Sequence, residues 1–272
     1  MTSLSLAFSP CPNDTFVFHA WAHGLIDDAP KVDLTFADVD VTNGAAERGE
    51  FDVVKVSYAA LPWLLDQYAL LPTGGALGRG CGPLVLTAGR SDLHGATVAV
   101  PGERTTAYLL FRLWAADLGL SHIEVMPFPE IMPAVRDGLV DAGLVIHEAR
   151  FTYGNYGLRS IVDLGEWWEG DTGLPIPLGA ILARRNLDAT ALSRVVRASV
   201  EYAFANPSAS KAFVAEHAQE MDADVQARHI ALYVNDFTVD LGADGYAAID
   251  GLLARAAAAG LVPPVDPGAL RS

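Results

Sequence analysis

Cysteine is scarce in this chain. The only two, Cys11 and Cys81, sit in no Cys-x-x-Cys pair and no metal-spaced cluster, which excludes a disulfide framework and a structural zinc site. Cations are outnumbered, with 18 Lys and Arg against 33 Asp and Glu and a formal net charge of −15. Non-specific nucleic-acid binding and attachment to an anionic bilayer are therefore not expected. A small anionic ligand stays possible, because a few converging amides can bind one inside a globally acidic molecule. No apolar run approaches the length of a membrane span, since Pro, Gly or charge interrupts each of them. No basic n-region and apolar h-region precede Leu4, so the expected location is cytoplasmic.

Catalytic signatures are missing as well. The seven histidines contain no His-Glu-x-x-His, and His19 with His23 has helical i, i+4 spacing but no obvious third ligand. The glycine-rich run Gly74-Gly-Ala-Leu-Gly-Arg79-Gly-Cys-Gly82 matches neither a P-loop nor a dinucleotide fingerprint, so nucleotide binding there is rejected. There is no serine nucleophile elbow, and no Cys–His pair or metal cage is legible. An enzyme with this inventory works through one general base in a closed, dry cleft, without metal or covalent nucleophile; proton abstraction leading to elimination or fragmentation fits.

What is present is a globular composition, 51% hydrophobic and 19% charged over 272 residues, and an internal echo. Gly138-Leu-Val-Asp141-Ala-Gly-Leu-Val-Ile-His147 repeats the pattern of Gly49-Glu-Phe-Asp52-Val-Val-Lys55-Val-Ser57-Tyr58, with Asp141 on Asp52 and His147 on Tyr58. Upstream of each, a strand (Leu4–Phe8, then Thr97–Val100) runs into a turn and a helix start that Asp or Thr can cap. Two such copies predict two α/β lobes facing each other as a clamshell, with helix N-termini at the crevice. The chain is expected to cross between lobes as two close strand-like segments, dividing it into 1–88 with 184–272 and a smaller lobe of 89–183.

His147 is then the pivotal residue. It ends a short apolar strand, at the position where open α/β sheets bind ligands, and its imidazole titrates near neutrality. Lys55 lies inside an apolar strand and must find a partner, the crevice or water, with Ser57 on the same face. Thr15, Thr105 and Thr106 supply hydroxyl donors at the helix starts, and Arg79 can clamp a carboxylate. Glu148 points to the opposite face if the backbone stays extended, so no His–Glu dyad is expected. Trp167 and Trp168 read first as core.

One run carries more: Ser9-Pro-Cys-Pro-Asn-Asp-Thr-Phe16. Together with Lys55-Val-Ser57-Tyr-Ala-Ala60, Gly74-Gly-Ala-Leu-Gly-Arg-Gly80, Pro101-Gly-x-x-Thr-Thr-Ala107, Ile146-His-Glu-x-Arg-Phe-Thr-Tyr153 and Thr172-Gly-Leu-Pro-x-Pro-Leu-Gly-Ala-Ile-Leu-Ala183, it closely resembles the 1,4-dihydroxy-6-naphthoate synthases of the futalosine route to menaquinone. The resemblance spans nearly the whole chain. It implies an α/β, two-lobed clamshell like the type II periplasmic binding proteins, and a lyase that converts cyclic dehypoxanthine futalosine to 1,4-dihydroxy-6-naphthoate. It places the catalytic base on His147 and substrate contacts on Lys55, Val56, Ser57, Thr106 and Ala107, with Val56 a conservative departure where some relatives are expected to have Leu. Asn13, Asp14, Thr15, Arg79 and Thr105 are further candidate contacts. No metal or organic cofactor is implied; the partner is a small anionic substrate, with no nucleic acid and no membrane, and the chain is a monomer or homodimer. The alternatives are a non-catalytic solute-binding protein and the chorismate dehydratase of the same pathway and fold.

Overall fold

The computed structural model describes residues 3–219 and 222–271. In chain order the first part gives β1 (Leu4–Phe8), α1 (Pro12–Ala22), β2 (Val32–Phe36), α2 (Val39–Glu47), β3 (Val53–Ser57) and β4 (Tyr68–Gly78). Next come β5 (Leu84–Thr87), β6 (Thr97–Val100), α3 (Thr106–Trp114), β7 (His122–Val125), α4 (Phe128–Arg136), β8 (Ala142–Val145), α5 (Ala149–Thr152), β9 (Arg159–Asp163) and α6 (Leu164–Thr172). The chain ends with β10 (Ile176–Arg184), α7 (Ala189–Ala205), α8 (Lys211–His217), α9 (Ala223–Tyr233), α10 (Asp236–Val239) and α11 (Gly242–Ala258).

The strands form two sheets of the same design, ordered β2-β1-β3-β10-β4 and β7-β6-β8-β5-β9. In each, the first three strands pair in parallel and the last two run antiparallel to their neighbours. The echo in the sequence is a structural repeat. Gly49 and Gly138 both adopt positive φ, +67° and +72°, where a glycine turn links helix to strand without a Cβ penalty. Asp52 and Asp141 then clamp the neighbouring strand: Asp52 accepts from the Ser5 N–H at 2.9 Å, and Asp141 from that of Thr97 at 2.9 Å.

The lobe boundaries differ from those expected at 88/89 and 183/184. Strand β5 belongs to the second sheet and β10 to the first, so the chain crosses at 79–83 and returns at 173–175. Glycine in a strand interior weakens it, and the glycine-rich run is a poor strand former by composition. Here its first half is edge strand β4, pressed so close to β10 that a Cβ on Gly75 would lie 2.8 Å from the Gly179 carbonyl oxygen. Glycine is what permits that approach.

Most of the apolar strand residues are fully buried, and α1, α7 and the β-strands of the first sheet share one core through Phe8, Phe18, Trp21, Val196 and Val200. Trp168 is completely buried and donates from its indole N–H to the Pro175 carbonyl at 3.1 Å. It packs with α3 and with Leu252 and Ala256 of α11, as core, while the partly buried Trp167 faces a separate surface pocket with Arg150, Asp163 and Glu166. No helix among the described residues is long and apolar enough to cross a membrane.

Candidate active site

A cavity of about 80 Å³ lies between the two sheets. Its wall comes from the first lobe (Ser9, Asn13, Asp14, Lys55, Ser57), the second (Thr105, Thr106, Ala107, Ile146, His147) and the face of α9 that carries His229 and Tyr233.

On the first-lobe wall, Lys55 forms a buried ion pair with Asp14. The other Asp14 oxygen accepts from Ser9 Oγ at 2.8 Å, and the Asn13 amide donates to Asp14 Oδ1 at 2.7 Å. An unpaired ammonium inside β3 would be prohibitively costly, so Asp14, presented by the first turn of α1, is what lets a lysine occupy a central strand. Ser57 accepts from Asn43 Nδ2 at 3.1 Å, which leaves its own proton free for the cavity. Its backbone N–H goes to Asn43 Oδ1 at 2.8 Å.

Facing them is α3. Thr105 caps it, accepting from the Tyr108 N–H at 3.1 Å. Thr106 Oγ accepts from the Ala59 N–H at 3.2 Å and donates to the Leu178 carbonyl at 2.9 Å. That hydroxyl therefore ties the two lobes together. The first-turn N–H groups at Thr106 and Ala107 have no carbonyl one turn back to receive them. By contrast, α1 starts on Cys11 and Pro12 with no side-chain cap, so the two helix starts are not chemical equivalents.

His147 stands where β8 ends. Its φ is +54°, a left-handed conformation that costs a non-glycine residue of order 1–3 kcal/mol and that here swings the ring back toward the cavity. Nδ1 lies 3.3 Å from Cys11 Sγ, while Nε2 is buried with no partner within the protein. Phe128 sets its ring edge-on at 5.5 Å between centroids. Burial first, and then the Lys55 charge, push the imidazole down to about 4 against the opposing pull of Asp14, so it is neutral at pH 7. A neutral, unpartnered ring nitrogen held in a cavity is a base waiting for a proton donor.

Cys11 corrects an expectation. A Cys–His pair does exist, across 136 positions of sequence, and the thiol also reaches Glu148 Oε2 at 4.0 Å. Those three residues place donor atoms within 4.8 Å of one another, a set sequence spacing could not reveal. Burial and the charges of Glu148 and Asp14 raise the thiol well above its ordinary range, so it stays protonated, which opposes metal capture.

Three candidates lie elsewhere. Thr15 is fully buried and bonds back to the Cys11 carbonyl at 3.1 Å, within its own helix turn. Val56 alternates away from Lys55 and Ser57 into the core beside Val54 and Ala180. Arg79 is out at the first crossing, donating to the Gly173 carbonyl at 2.9 Å and paired with Glu169 at 3.7 Å. Arg150, in the same motif as His147, holds the Gly82 carbonyl and Asp163 rather than the cavity. Sequence reasoning passed over His229 and Tyr233, because an Ala-rich helix two hundred residues from α1 carries no local sign of facing it.

A family model described as menaquinone biosynthesis matches residues 4–258. The chain belongs to that family. Among curated relatives in it, a 1,4-dihydroxy-6-naphthoate synthase of Streptomyces coelicolor is 68% identical over 98% of both chains. One from Thermus thermophilus is 48% identical over 97% of both. A solved protein of Archaeoglobus fulgidus superposes with a TM-score of 0.90 at 35% identity, covering 96% of this chain and 98% of that one. The periplasmic aliphatic sulphonate binding protein of Escherichia coli has a TM-score of 0.68 at 16% identity over 99% and 90% of the chains, which shows a shared fold alone. The family thus uses a solute receptor's clamshell, and the α/β two-lobed architecture read from the sequence is the observed one.

Proposed function

We infer that this chain is a carbon–carbon lyase of menaquinone biosynthesis that converts cyclic dehypoxanthine futalosine to 1,4-dihydroxy-6-naphthoate. Its nearly full-length likeness to named synthases supports the enzyme reading over a solute receptor, whose likeness stops at the fold. The observation that carries the chemistry is the buried, unpartnered Nε2 of His147.

The substrate carboxylate docks against the free first-turn N–H groups of α3 at Thr106 and Ala107, with the Ser57 hydroxyl donating from the opposite wall. Lys55, neutralised by Asp14, contributes shape and a fixed field. For Nε2 to act as base, the ring proton must sit on Nδ1. Cys11 Sγ accepts that proton while its own thiol hydrogen turns to the Glu148 carboxylate, so the thiol sets the tautomer. Nε2 then removes a substrate proton, the C–C bond to the sugar-derived fragment breaks, and the bicycle aromatises. General-base assistance of this kind is typically worth ~10²–10⁴-fold.

An 80 Å³ cavity holds only a handful of waters, so a bicyclic substrate enters through an opened form, with 79–83 and 173–175 as the hinge. The substrate is a small anion, and the reaction takes place in the cytoplasm without a metal or organic cofactor. His147→Asn tests the reading: turnover of cyclic dehypoxanthine futalosine should fall by roughly 10²–10⁴-fold while binding stays measurable by calorimetry. Turnover within a few-fold of wild type would remove His147 from the catalytic role.

A further inference from the structure

The base is one of two imidazoles in the cavity, and the second has no part in the reaction as described so far. His229 sits on α9, only 1% exposed, one turn before Tyr233, with ring centroids 4.5 Å apart. It lines the cavity together with His147. Its Nε2 lies 2.9 Å from Asn13 Oδ1.

The hydrogen positions around it follow from the chain of bonds. Asp14 is a carboxylate paired with Lys55, so it can only accept. The Asn13 group facing Asp14 at 2.7 Å must therefore be the amide nitrogen, which fixes Asn13 Oδ1 as the atom turned to His229. An amide oxygen accepts, so His229 Nε2 carries the hydrogen. In the neutral ring, Nδ1 is then left with a bare lone pair. That atom is buried and has no partner within the protein. Buried polar atoms without a partner are rare enough to require an explanation. Burial, with His147 and Lys55 nearby, drives the ring's basicity far below that of an ordinary histidine, so the lone pair persists through the neutral range.

We propose that His229 Nδ1 accepts a hydrogen bond from a neutral hydroxyl of the substrate, making His229 a binding residue of this cavity. This rests on the synthase reading above, whose substrate carries hydroxyls on its sugar-derived part.

Two substitutions separate this role from a purely structural one. In His229→Asn the side-chain oxygen can take the place of Nδ1, but the link to Asn13 is lost. In His229→Gln the amide can take the place of Nε2 and keep that link, but no acceptor remains at Nδ1. Steady-state kinetics of the full-length chain with cyclic dehypoxanthine futalosine should give a KM for H229Q roughly tenfold or more above that for H229N, with the larger effect on KM rather than kcat. Equal KM values, or the reverse order, overturn the proposal while wild-type turnover leaves the synthase reading standing. A wild-type chain with no turnover overturns that reading first, and this inference with it. A measurement on the wild type alone covers the case in which the variants fail to fold. Among single-deoxy analogues of the substrate's sugar-derived part, one should raise the wild-type KM roughly tenfold; if none does, the proposal fails.

Discussion

The two copies of the helix–glycine–aspartate–strand unit, 49–58 and 138–147, share a scaffold and differ in what they do with its end. In the first, β3 runs on through Lys55 and Ser57, and Tyr58 turns into a fully buried position in the core. In the second, β8 stops at Val145, and two residues later the chain enters a left-handed conformation at His147. One lobe therefore offers a rigid, internally neutralised wall; the other offers a strained, reactive tip. The same backbone design provides either a fixed electrostatic surface or a base, depending on one dihedral angle and one side chain.

The contrast is sharpest in a paired substitution. His147→Ala should lower turnover by roughly 10²–10⁴-fold, whereas Tyr58→Phe at the equivalent position should change it by less than about threefold. Comparable losses in a kcat assay would mean that the two ends are not functionally distinct. Next in size is the first-lobe wall. Lys55→Met alone leaves Asp14 as a buried uncompensated charge and should cost about 3–5 kcal/mol in urea unfolding, while Lys55→Met with Asp14→Leu should recover much of it. A double variant no better than the single one would deny that the pair is a self-contained unit.

Cys11→Ala should reduce kcat by about tenfold, the order of one lost hydrogen bond to the base, and Cys11→Ser should fall between it and wild type. A ¹⁵N spectrum of His147 showing the same tautomer in wild type and Cys11→Ala would refute the thiol's role. For pH, the base must be neutral, so kcat/KM should stay flat above about pH 5 and drop as pH falls through about 4. The same depressed value acts on stability. The unfolded ring binds a proton near 6.5 and the folded one near 4, so stability is lost as pH falls across that window and changes no further below it. His229 acts in the same direction, and melting temperature against pH measures both. Smallest is the pair that tests the likeness itself: Asp52→Ala and Asp141→Ala should each cost about 1–2 kcal/mol, by nearly equal amounts, since both clamp the first N–H of a neighbouring strand region.

Much of this was legible from local pattern. The glycines at 49 and 138, the aspartates three residues on, and the apolar strands after them are short-range signals, and they carried the repeat and the clamshell. The imidazole at the end of β8 belongs to the same class of signal, as does the alternation that puts Lys55 and Ser57 on one face. Where local pattern misled, it did so in segments whose state depends on neighbours. The first half of the glycine run is a strand because β10 lies against it. Arg79 is close in sequence to cavity-lining Cys81 yet turns outward, because the chain is crossing between sheets there.

Sequence alone thus determined an acidic, two-lobed α/β chain with a histidine at a strand terminus and paired strand–turn–helix units, because periodicity, turn glycines and motif runs are encoded within a few residues of one another. Tertiary structure decided the rest: which strands cross between sheets, that Cys11 meets His147 and Glu148, that Asp14 neutralises Lys55, and that an imidazole from α9 completes the wall. Those contacts join residues more than forty positions apart: packing within the first lobe brings Asp14 to Lys55 and His229 to Asn13, and packing of one lobe against the other brings Cys11 to His147 and Glu148.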